Sequence, residues 1–384
     1  MKRGNDYLVA KTFHGLESIL SEELRQLGAK QIKRGKRMVT FEGDQDLLYK
    51  ANLWCRTAIR ILVPIRSFSA RNEEELYQGI RRIPWRQYLR VHDTFAIDAV
   101  VHSRYFRHSR YAALKSKDAI VDMFRERTGQ RPSVQTTSPR LRIHVHIREE
   151  LVTVYRDSSG DSLHRRGYRQ TRHKAPLSEV LAAGMILLSG WKGDRPFMDP
   201  MCGSGTIPIE AAMIAGNRAP GLGRKFGFET WPDLNRRRWR ELQQEAEALR
   251  VPITVPIFAS DQALKAVTEA RQMVFQAGVG GDVDVVQKKI SAVRREGEEG
   301  ILIMNPPYGE RMNPPEIHAL YREIGDQLKQ AFSNWTAYMI SSNTEALKKV
   351  GLRPSYKYEL YNGPLACRYY GYELYKGSRD SSSS

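Results

Sequence analysis

An apolar strand that ends in two consecutive prolines is the feature that most limits how this chain can fold. Residues 300–303, GILI, form the apolar run, and the stretch MNPPYGER at 304–311 follows it, with Asn305, Pro306 and Pro307 at its start. Proline has no backbone N–H and cannot continue a hydrogen-bonded ladder, so the strand has to end here. Asn305 precedes a proline and is pushed towards an extended backbone, and the prolines fix the next two φ angles. The sequence therefore predicts a stiff loop with polar groups that the sheet does not use.

A second unusual loop, DPMCGSGT at residues 199–206, lies between a predicted strand and a predicted helix. It lacks the Gly-Lys-Ser/Thr of a P-loop, and Pro208 stands where a dinucleotide fingerprint has its third glycine. Gly203 and Gly205 permit the backbone to approach a ligand closely. Asp199 adds a negative charge, which suits a ligand with an ammonium or sulfonium charge, and S-adenosylmethionine carries both. A plain strand-to-helix turn is the alternative.

Strands and helices alternate through the second half of the chain. The pattern predicts a helix at 177–190, a strand ending at Asp199, a helix from Thr206, a strand at 257–260 ending at Asp261, a helix reaching Gly278, and strands at 283–287 and 301–304. This order predicts an α/β unit with a mostly parallel sheet and helices on both faces. At the end of its strand, the Asp261 carboxylate can accept hydrogen bonds from both hydroxyls of a ribose. Aromatic runs at 356–361 and 369–375 predict a closing antiparallel pair.

The first half of the chain reads as two smaller α+β units. Strands at 7–11, 37–43 and 59–65 alternate with two helices, and a second set follows: helices at 73–83 and 109–128 and strands at 94–101, 141–148 and 151–155. In the strand LRIHVHIR, His144 and His146 share the polar face. Two histidines with no third ligand nearby favour a solvated strand face over a metal site. Residues 157–162, DSSGDS, are typical of a linker.

The loop at Asn305–Tyr308 has the groups needed to hold a planar amino group. The Asn305 side-chain oxygen and the Pro306 carbonyl are two neighbouring acceptors, and an exocyclic amino group has two hydrogens to donate. Holding both hydrogens would point the weakly nucleophilic lone pair at a methyl sulfonium, which is catalysis by positioning and electrostatics. Tyr308 supplies a ring on which a flipped base can stack. A proline-rich turn that merely ends a strand is the alternative.

The charge of the chain favours a polyanionic partner. The formal net charge is +18, and residues 104–148 hold eleven lysines and arginines against three acids. Nucleic acid is the first expectation, and a solvated basic surface without a ligand is the alternative. The three cysteines, Cys55, Cys202 and Cys367, are too far apart for a CxxC site and fit a reduced, cytoplasmic protein. No apolar run approaches the roughly 20 residues that span a bilayer.

Several sequence blocks together resemble a known family. NPPYGER after an apolar strand and DPMCGSGTIPIEAA before it resemble the class I amino-methyltransferases. SLHRRGYR at 162–169, APLSEVLAA at 175–183, NGPLACR at 362–368 and FRHSRYAALKSKDAIVD at 106–122 resemble more narrowly the bacterial THUMP-domain methyltransferases. Those enzymes act on a guanine 2-amino group in large-subunit ribosomal RNA. The resemblance covers most of the chain.

The resemblance implies a fold, a domain order and a set of site residues. The expected fold is a seven-stranded Rossmann-like methyltransferase sheet with a reversed last strand. The expected order is a ferredoxin-like domain at 1–65, a THUMP RNA-binding domain at 66–157, a methyltransferase domain at 158–378 and a disordered tail at 379–384. The implied cofactor-binding residues are Asp199, Pro200, Cys202, Gly203, Gly205, Thr206 and Asp261, and the implied catalytic residues are Asn305, Pro306, Pro307 and Tyr308.

Two stretches depart from the family pattern. Lys289 stands where many members have an aspartate near the cofactor's adenine. Residues 217–250 look inserted and mix cations with Phe226, Phe228, Trp231 and Trp239. That mixture suits stacking on unpaired RNA, and an amphipathic helix over the sheet edge is the equal alternative. LHRRGYR at 163–169 either touches RNA or closes over the cofactor.

The sequence as a whole predicts an S-adenosylmethionine-dependent enzyme that makes N2-methylguanosine in RNA. The expected substrate is large-subunit rRNA, so the enzyme is expected to take part in rRNA processing. Competing hypotheses are an adenine-N6 DNA methyltransferase, a tRNA guanine-N2 methyltransferase and a protein glutamine methyltransferase, which the net charge disfavours. A non-catalytic RNA-binding assembly factor is a further alternative, which the lysine at 289 keeps open.

Overall fold

The chain divides into two compact units. A computed structural model describes residues 7–169, 177–308 and 313–375. Within these ranges, unit 1 comprises residues 7–12, 21–163 and 224–244, and unit 2 comprises residues 13–20, 164–223 and 245–375. The α-helices in chain order are α1 Glu17–Gln26, α2 Gln45–Trp54, α3 Glu73–Arg81, α4 Ser109–Thr128, α5 Glu179–Leu188, α6 Thr206–Ala215, α7 Arg236–Ala248, α8 Leu264–Gln276, α9 Pro314–Ala331 and α10 Thr344–Lys349. None of the helices in these ranges has the length and apolarity needed to cross a membrane.

Unit 1 is built on one eight-stranded sheet. Its strands are β1 Tyr7–Thr12, β2 Lys30–Gly35, β3 Met38–Glu42, β4 Ala58–Ser69, β5 Thr94–His102, β6 Ser133–Val134, β7 Leu141–Arg148 and β8 Leu151–Asp157. They lie in the order β2-β3-β1-β4-β8-β7-β5-β6. The sheet therefore runs without a break through the predicted boundary at residue 65, and the predicted domain limits stay predictions.

Two strands of unit 1 differ from the sequence-based expectation. β4 continues to Ser69, past the predicted end at residue 65, because a register shift between Pro64 and Arg66 lets the ladder with β8 resume beyond the proline. β2 was not predicted, since KQIKRG lies at the sheet edge with mostly exposed side chains and shows no apolar alternation. In β7, by contrast, the predicted alternation is confirmed, and its polar His144 hydrogen-bonds Asp157 at 3.1 Å instead of facing only solvent.

The inserted segment does not offer its aromatic rings for RNA stacking. Four of its rings are at most 6% exposed, namely those of Phe226, Phe228, Trp231 and Trp239. The ring centre of Phe228 lies 4.6 Å from that of Tyr49 on α2, and the Arg156 guanidinium lies 3.8 Å from the centre of Trp231. The stacking interpretation is therefore wrong for these four rings, because they form part of the interior of unit 1.

Unit 2 contains the predicted seven-stranded sheet. Its strands are β9 Phe197–Asp199, β10 Ile257–Asp261, β11 Asp284–Gln287, β12 Gly300–Met304, β13 Trp335–Ser341, β14 Tyr356–Asn362 and β15 Leu365–Glu373. They lie in the order β11-β10-β9-β12-β13-β15-β14. The strands from β11 to β13 are parallel, and β15 is antiparallel to both β13 and β14. The α/β fold class and the reversed strand are thus confirmed.

The strand order places a topological switch point between β9 and β12. From β9 the chain winds through β10 and β11 to one edge, and it then returns to place β12 on the other side of β9. Leu302 pairs with Met198, so Asp199 lies one residue and Asn305 three residues beyond that pair. Ligands of open α/β sheets bind at the carboxyl ends of strands at such a switch point. The two loops singled out in the sequence therefore emerge side by side.

Helix α9 follows the proline-rich loop, and its backbone packs closely against the end of α10. A Cβ added at Gly325 of α9 would lie 1.9 Å from the carbonyl oxygen of Val350, at the end of α10. No side chain can occupy that space without moving backbone. Ile317, Tyr321 and Leu328 on the buried face of α9 join an apolar core cluster of unit 2. The glycine thus lets α9 pack closely enough to support the loop that precedes it.

We expect Gly325→Ala to destabilise the protein, although alanine favours helices by about 1 kcal/mol over glycine. The clash with the Val350 carbonyl should outweigh this preference and cost about 1–3 kcal/mol or more. Calorimetric unfolding measures the change. Gly281→Ala is the control, because a Cβ there meets nothing within 4 Å. A variant at 325 as stable as wild type would contradict this account of the packing.

Candidate active site

The glycine loop is tied to the neighbouring strand by backbone hydrogen bonds. After Asp199 and the buried Pro200, the N–H of Cys202 donates to the carbonyl of Ser260 on β10 at 2.9 Å. The N–H of Gly203 donates to Oδ2 of Asp261 at 3.1 Å. Burial raises the pKa of the Cys202 thiol, so this side chain stays neutral and acts as a small apolar filler. The loop is therefore fixed before any ligand binds.

The two glycines of the loop have different physical roles. Both have positive φ angles, 52° at Gly203 and 82° at Gly205, which side chains rarely tolerate. A Cβ at Gly203 would meet nothing within 4 Å, so this position leaves open space beside the loop. A Cβ at Gly205 would lie 3.3 Å from Cβ of Ala270 on α8. Gly203 thus fits the expected close approach of a ligand, whereas Gly205 is also required by the packing of the loop against α8.

Asp199 is a fully buried acid with an unused oxygen. It is 0% exposed, and its Oδ1 accepts the N–H of Met201 at 3.1 Å. Its Oδ2 has no hydrogen-bond partner among the residues that the structure describes. Burial raises the pKa of Asp199 well above its usual range, the Met201 hydrogen bond opposes this, and the nearby Asp261 raises the pKa further. A cationic ligand would relieve both the burial and the repulsion.

Asp261 is held in a different way. Its Oδ2 accepts the N–H of Gly203, and its Oδ1 accepts the N–H of Ala263 at 2.9 Å. Each carboxylate oxygen can accept a further bond, so the residue retains acceptor capacity for a ribose. Nearby Lys289, where an acid was expected, is exposed and precedes a short 3-10 helix at Ile290–Ala292.

The loop after β12 also contains a buried, unused oxygen. Oδ1 of Asn305 is inaccessible to solvent and has no hydrogen-bond partner among the described residues. A buried acceptor of this kind costs about 1–3 kcal/mol unless a donor reaches it. Pro306 is buried and Pro307 is exposed, so the loop turns outward immediately after the acceptor pair. These features fit a site that receives an N–H donor from a substrate.

Side chains far away in the sequence hold this loop. The hydroxyl of Tyr321 on α9 donates to the carbonyl of Pro307 at 3.4 Å and lies 2.7 Å from Oγ of Ser341. Nδ2 of Asn362 donates to the hydroxyl of Tyr308 at 2.7 Å. The Tyr308 side chain is half-buried and anchored at its hydroxyl, and its use as a stacking surface stays a prediction. These contacts position the loop through three different elements.

The structure brings the predicted site residues together at one edge of the sheet. The predicted cofactor-binding residues lie at the ends of β9 and β10, and the predicted catalytic residues follow β12. Neighbouring strands lie about 4.8 Å apart, so the ends of β9 and β12 are within reach of one small ligand. Gly309 to Arg311 of the NPPYGER block lie outside the described residues. Tyr321, Ser341 and the Asn362–Tyr308 contact were not predicted, because no local pattern marks such long-range partners.

We expect Asp199→Asn to stabilise the ligand-free protein at neutral pH. Because the folded-state pKa of Asp199 is raised, the unfolded chain loses this proton first, and stability falls as the pH rises above about 4. The neutral amide of asparagine removes the cost of ionising a buried acid, and its oxygen can still accept the N–H of Met201. The gain in Tm, roughly 2–4 °C per kcal/mol, should therefore be larger at pH 7 than at pH 4.

Asp261→Asn is the matched control for this experiment. Both oxygens of Asp261 accept backbone N–H groups, so an amide nitrogen would face a donor and the Tm should fall. Differential scanning calorimetry at both pH values measures the two variants. An equal Tm gain of Asp199→Asn at pH 4 and pH 7, or a loss, would contradict the assignment of Asp199 as a strained buried acid.

Family models match three consecutive parts of the chain. A model described as the RlmL ferredoxin-like domain matches residues 7–62, and the THUMP domain matches residues 70–157. A model described as an RMKL-like methyltransferase domain matches residues 166–371. The last match contains both loops of the site and covers more than half of the chain.

Whole-chain comparisons agree with these matches. A Synechocystis sp. protein named "Putative RNA methyltransferase slr0064" is 38% identical, covering 95% of this chain and 96% of the relative. The "Ribosomal RNA large subunit methyltransferase K/L" of Syntrophotalea carbinolica is 39% identical over 94% of this chain, which spans only 52% of that longer protein.

The fold is shared with solved structures. A crystal structure described as "SMU.472, a putative methyltransferase complexed with SAH" matches with a TM-score of 0.87 and 32% identity, covering 98% of this chain and 100% of the other. The switch-point loops, the orphaned buried oxygens and the three family matches agree with one another. The chain belongs to the RMKL-like family of S-adenosyl-L-methionine-dependent methyltransferases, with RlmL ferredoxin-like and THUMP domains preceding the methyltransferase domain.

Proposed function

We propose that this protein transfers a methyl group to the exocyclic 2-amino group of a guanosine in RNA, with large-subunit ribosomal RNA as the substrate. The observation that carries the proposal is the buried Oδ1 of Asn305, which has no partner among the described residues and follows the strand beside the Asp199 loop. An acceptor in that place needs a donor, and an aryl amino group supplies two. The names of the two curated relatives support RNA as the substrate class.

The Asn305 side-chain oxygen and the Pro306 carbonyl, together called the corner, would act by orientation and charge stabilisation. When bound, S-adenosylmethionine supplies an electrophilic methyl group on a sulfonium. Asn305 Oδ1 and the Pro306 carbonyl would accept the two amino hydrogens and hold the nitrogen lone pair out of the base plane. As positive charge develops on the nitrogen, both acceptors stabilise it without having to reorganise. Tyr321 contacts the loop at the Pro307 carbonyl and Ser341 contacts the Tyr321 hydroxyl, so both are positioning residues.

The cofactor loop supplies complementary groups. The carboxylate of Asp199 would bind a cationic part of the cofactor, and Asp261 would accept the ribose hydroxyls. Gly203 leaves open space beside the loop, while Pro200, Cys202, Gly205 and Thr206 fix its path between β9 and α6. The burial and hydrogen bonds of each group support these proposed roles.

The deciding experiment identifies the methylated nucleoside. The protein is incubated with isotopically labelled cofactor and, separately, with unmodified large-subunit rRNA, bulk tRNA and unmethylated DNA, and the digested products are analysed by mass spectrometry. N2-methylguanosine in the rRNA supports the proposal. Label in tRNA guanosine would favour a tRNA guanine-N2 methyltransferase instead. N6-methyladenine in DNA would favour an adenine-N6 DNA methyltransferase. Cofactor binding without any transfer would favour an RNA-binding assembly factor.

We expect Asn305→Ala to lower kcat by a factor of about 100–1,000, the usual cost of losing one pre-organised hydrogen-bonding group at a reacting centre. The Kd for cofactor and for RNA should stay within about threefold of wild type, because the missing oxygen contacts only the amino group. Asn305→Asp retains an acceptor oxygen and should keep more activity than the alanine variant. Single-turnover rates and equilibrium binding measure both effects. Full activity of the alanine variant would remove Asn305 from the mechanism.

The surface of unit 1 has uncompensated positive charge. Five exposed arginines between residues 104 and 148 form no ion pair within the part of the chain that the structure describes: Arg107, Arg110, Arg127, Arg131 and Arg148. Others in the same stretch are neutralised, as in the pair of Arg142 with Asp98 at 3.0 Å. Arg131 and Lys117 also line a surface cavity of about 380 Å³. Exposed cations without partners are those expected to contact phosphates.

We expect the double change Arg110→Ala and Arg131→Ala to weaken RNA binding similarly for all sequences. Each lost phosphate contact should reduce the slope of log K against log salt by about 1. Fluorescence anisotropy between low and moderate salt measures the slope. The control is Lys348→Ala in unit 2, whose side chain already pairs with Glu345. An unchanged slope in the double variant would exclude these two arginines from the RNA-binding surface.

A further inference from the structure

The segment at residues 164–169 is held against the helix that begins at the glycine loop. Arg166 is 4% exposed, and its Nε lies 3.2 Å from Oε1 of Glu210, a fully buried residue of α6. The pairing makes this a fully compensated buried ion pair, which would be costly to break. The sequence left open whether LHRRGYR touches RNA or the cofactor. Its burial against α6 brings it to the cofactor loop, since α6 starts where that loop ends.

Arg169 directs its guanidinium to the start of α6. Its Nε donates to Oε1 of Glu179, the first residue of α5, at 3.0 Å. Its Nη2 donates to the hydroxyl of Thr206, the first residue of α6, at 2.9 Å. Its Nη1 is inaccessible to solvent and has no hydrogen-bond partner among the described residues. Two contacts therefore fix the orientation of the guanidinium and leave one nitrogen for a further acceptor.

Tyr168 presents a second unused donor in the same neighbourhood. The side chain is 6% exposed, and its hydroxyl has no partner within the described ranges. Burial raises its pKa well above the usual value, and the nearby Glu179 and Glu210 raise it further, so the hydroxyl keeps its proton. The carboxylates of this region are already engaged by Arg166 and Arg169. The site therefore has donors in excess and lacks an acceptor, and an anion would supply one.

We propose that Arg169, assisted by the Tyr168 hydroxyl, binds the α-carboxylate of S-adenosylmethionine, while Asp199 binds the α-ammonium of the same amino-acid group. The inference rests on the proposed use of this loop as the cofactor site and extends it to residues outside the loop. A guanidinium matches the planar geometry of a carboxylate, and the N-terminus of α6 adds a favourable field. The orphaned Oδ2 of Asp199 requires the opposite charge. A zwitterion satisfies both groups at once.

Decarboxylated S-adenosylmethionine separates this contact from the rest of the site, because it keeps the ammonium, the sulfonium and the nucleoside. Isothermal titration calorimetry gives the Kd of both compounds for each variant. Wild type should bind the complete cofactor about 10–100 times more tightly, the range expected for hydrogen bonds between charged groups. Arg169→Met should abolish most of that preference and change the Kd of the decarboxylated compound less than about threefold. Tyr168→Phe should reduce the preference in the same direction by a smaller factor.

Two further variants control for charge and folding. Arg165→Met changes an exposed arginine of the same segment and should leave both Kd values unchanged. Since Arg169→Met leaves Glu179 buried without this arginine, the double variant Arg169→Met with Glu179→Gln removes both charges and should show the same lost preference. Circular dichroism checks that each variant folds. If the single variant is unfolded, the double variant and Tyr168→Phe decide the question.

The possible outcomes separate this inference from the proposed function. Equal loss of affinity for both compounds in Arg169→Met, or no loss for either, would overturn the carboxylate assignment while leaving the methyltransferase proposal intact. If Arg169→Met weakened RNA binding and left cofactor binding unchanged, Arg169 would be assigned to an RNA phosphate, and the carboxylate assignment would also be overturned. Absence of cofactor binding by the wild-type protein would instead contradict the proposed function itself.

Discussion

The parallel pairing of β12 with β9 is the constraint on which the site depends. These strands are 100 residues apart in the sequence, and the pairing of Leu302 with Met198 places their carboxyl ends side by side. One end leads into a loop that carries a buried acid, and the other leads into a loop that carries a buried amide oxygen. The proposed methyl transfer would need both loops, because it requires donor and acceptor within bonding distance. Strand order therefore decides whether these two loops can serve one reaction.

The polar groups of unit 2 fall into two kinds, and the difference is physical. Arg166 and Glu210 are buried and paired, so neither charge is left uncompensated, and the pair holds a segment against α6. Asp199, Asn305, Tyr168 and Arg169 each keep a buried polar atom without a described partner. Buried polar atoms without partners lower the free energy of unfolding, so apolar side chains would be more stable at these positions. Their charges and donor types, an acid, an amide acceptor and two donors, are complementary to the amino-acid group of a methyl donor and to an aryl amine.

The two loops at the strand ends and much of the sheet of unit 2 could be predicted from local sequence. Consecutive prolines end a strand wherever they occur, and a GxG turn with positive φ angles needs glycine, so Asn305 and Gly203 could be located without a structure. The mostly parallel sheet followed from the alternation of strands and helices, whereas the number of seven strands and the reversed strand were implied by the family resemblance. β2 was missed because an exposed edge strand needs no apolar pattern. β4 was predicted to end at residue 65, but a register shift between Pro64 and Arg66 lets the strand continue to Ser69. The rings of Phe228 and Trp239 were misjudged because composition alone does not reveal burial against Tyr49.

The acceptor pair after β12 is suited to a class of amines and not to one base. An amide oxygen and a peptide carbonyl recognise two N–H donors on a planar group, and a guanine 2-amino group and an adenine 6-amino group both provide these. In the proposed mechanism the acceptor pair would therefore select for the amine and not for the base. Discrimination between bases would then need groups that contact the rest of the ring, and Tyr308 with its anchor Asn362 is the candidate beside the loop. The exposed arginines of unit 1 would add affinity through phosphate contacts, which carry no base sequence directly. Under this proposal a generic acceptor pair at the strand ends is compatible with a narrow choice of target, because affinity and selectivity would be supplied by different groups.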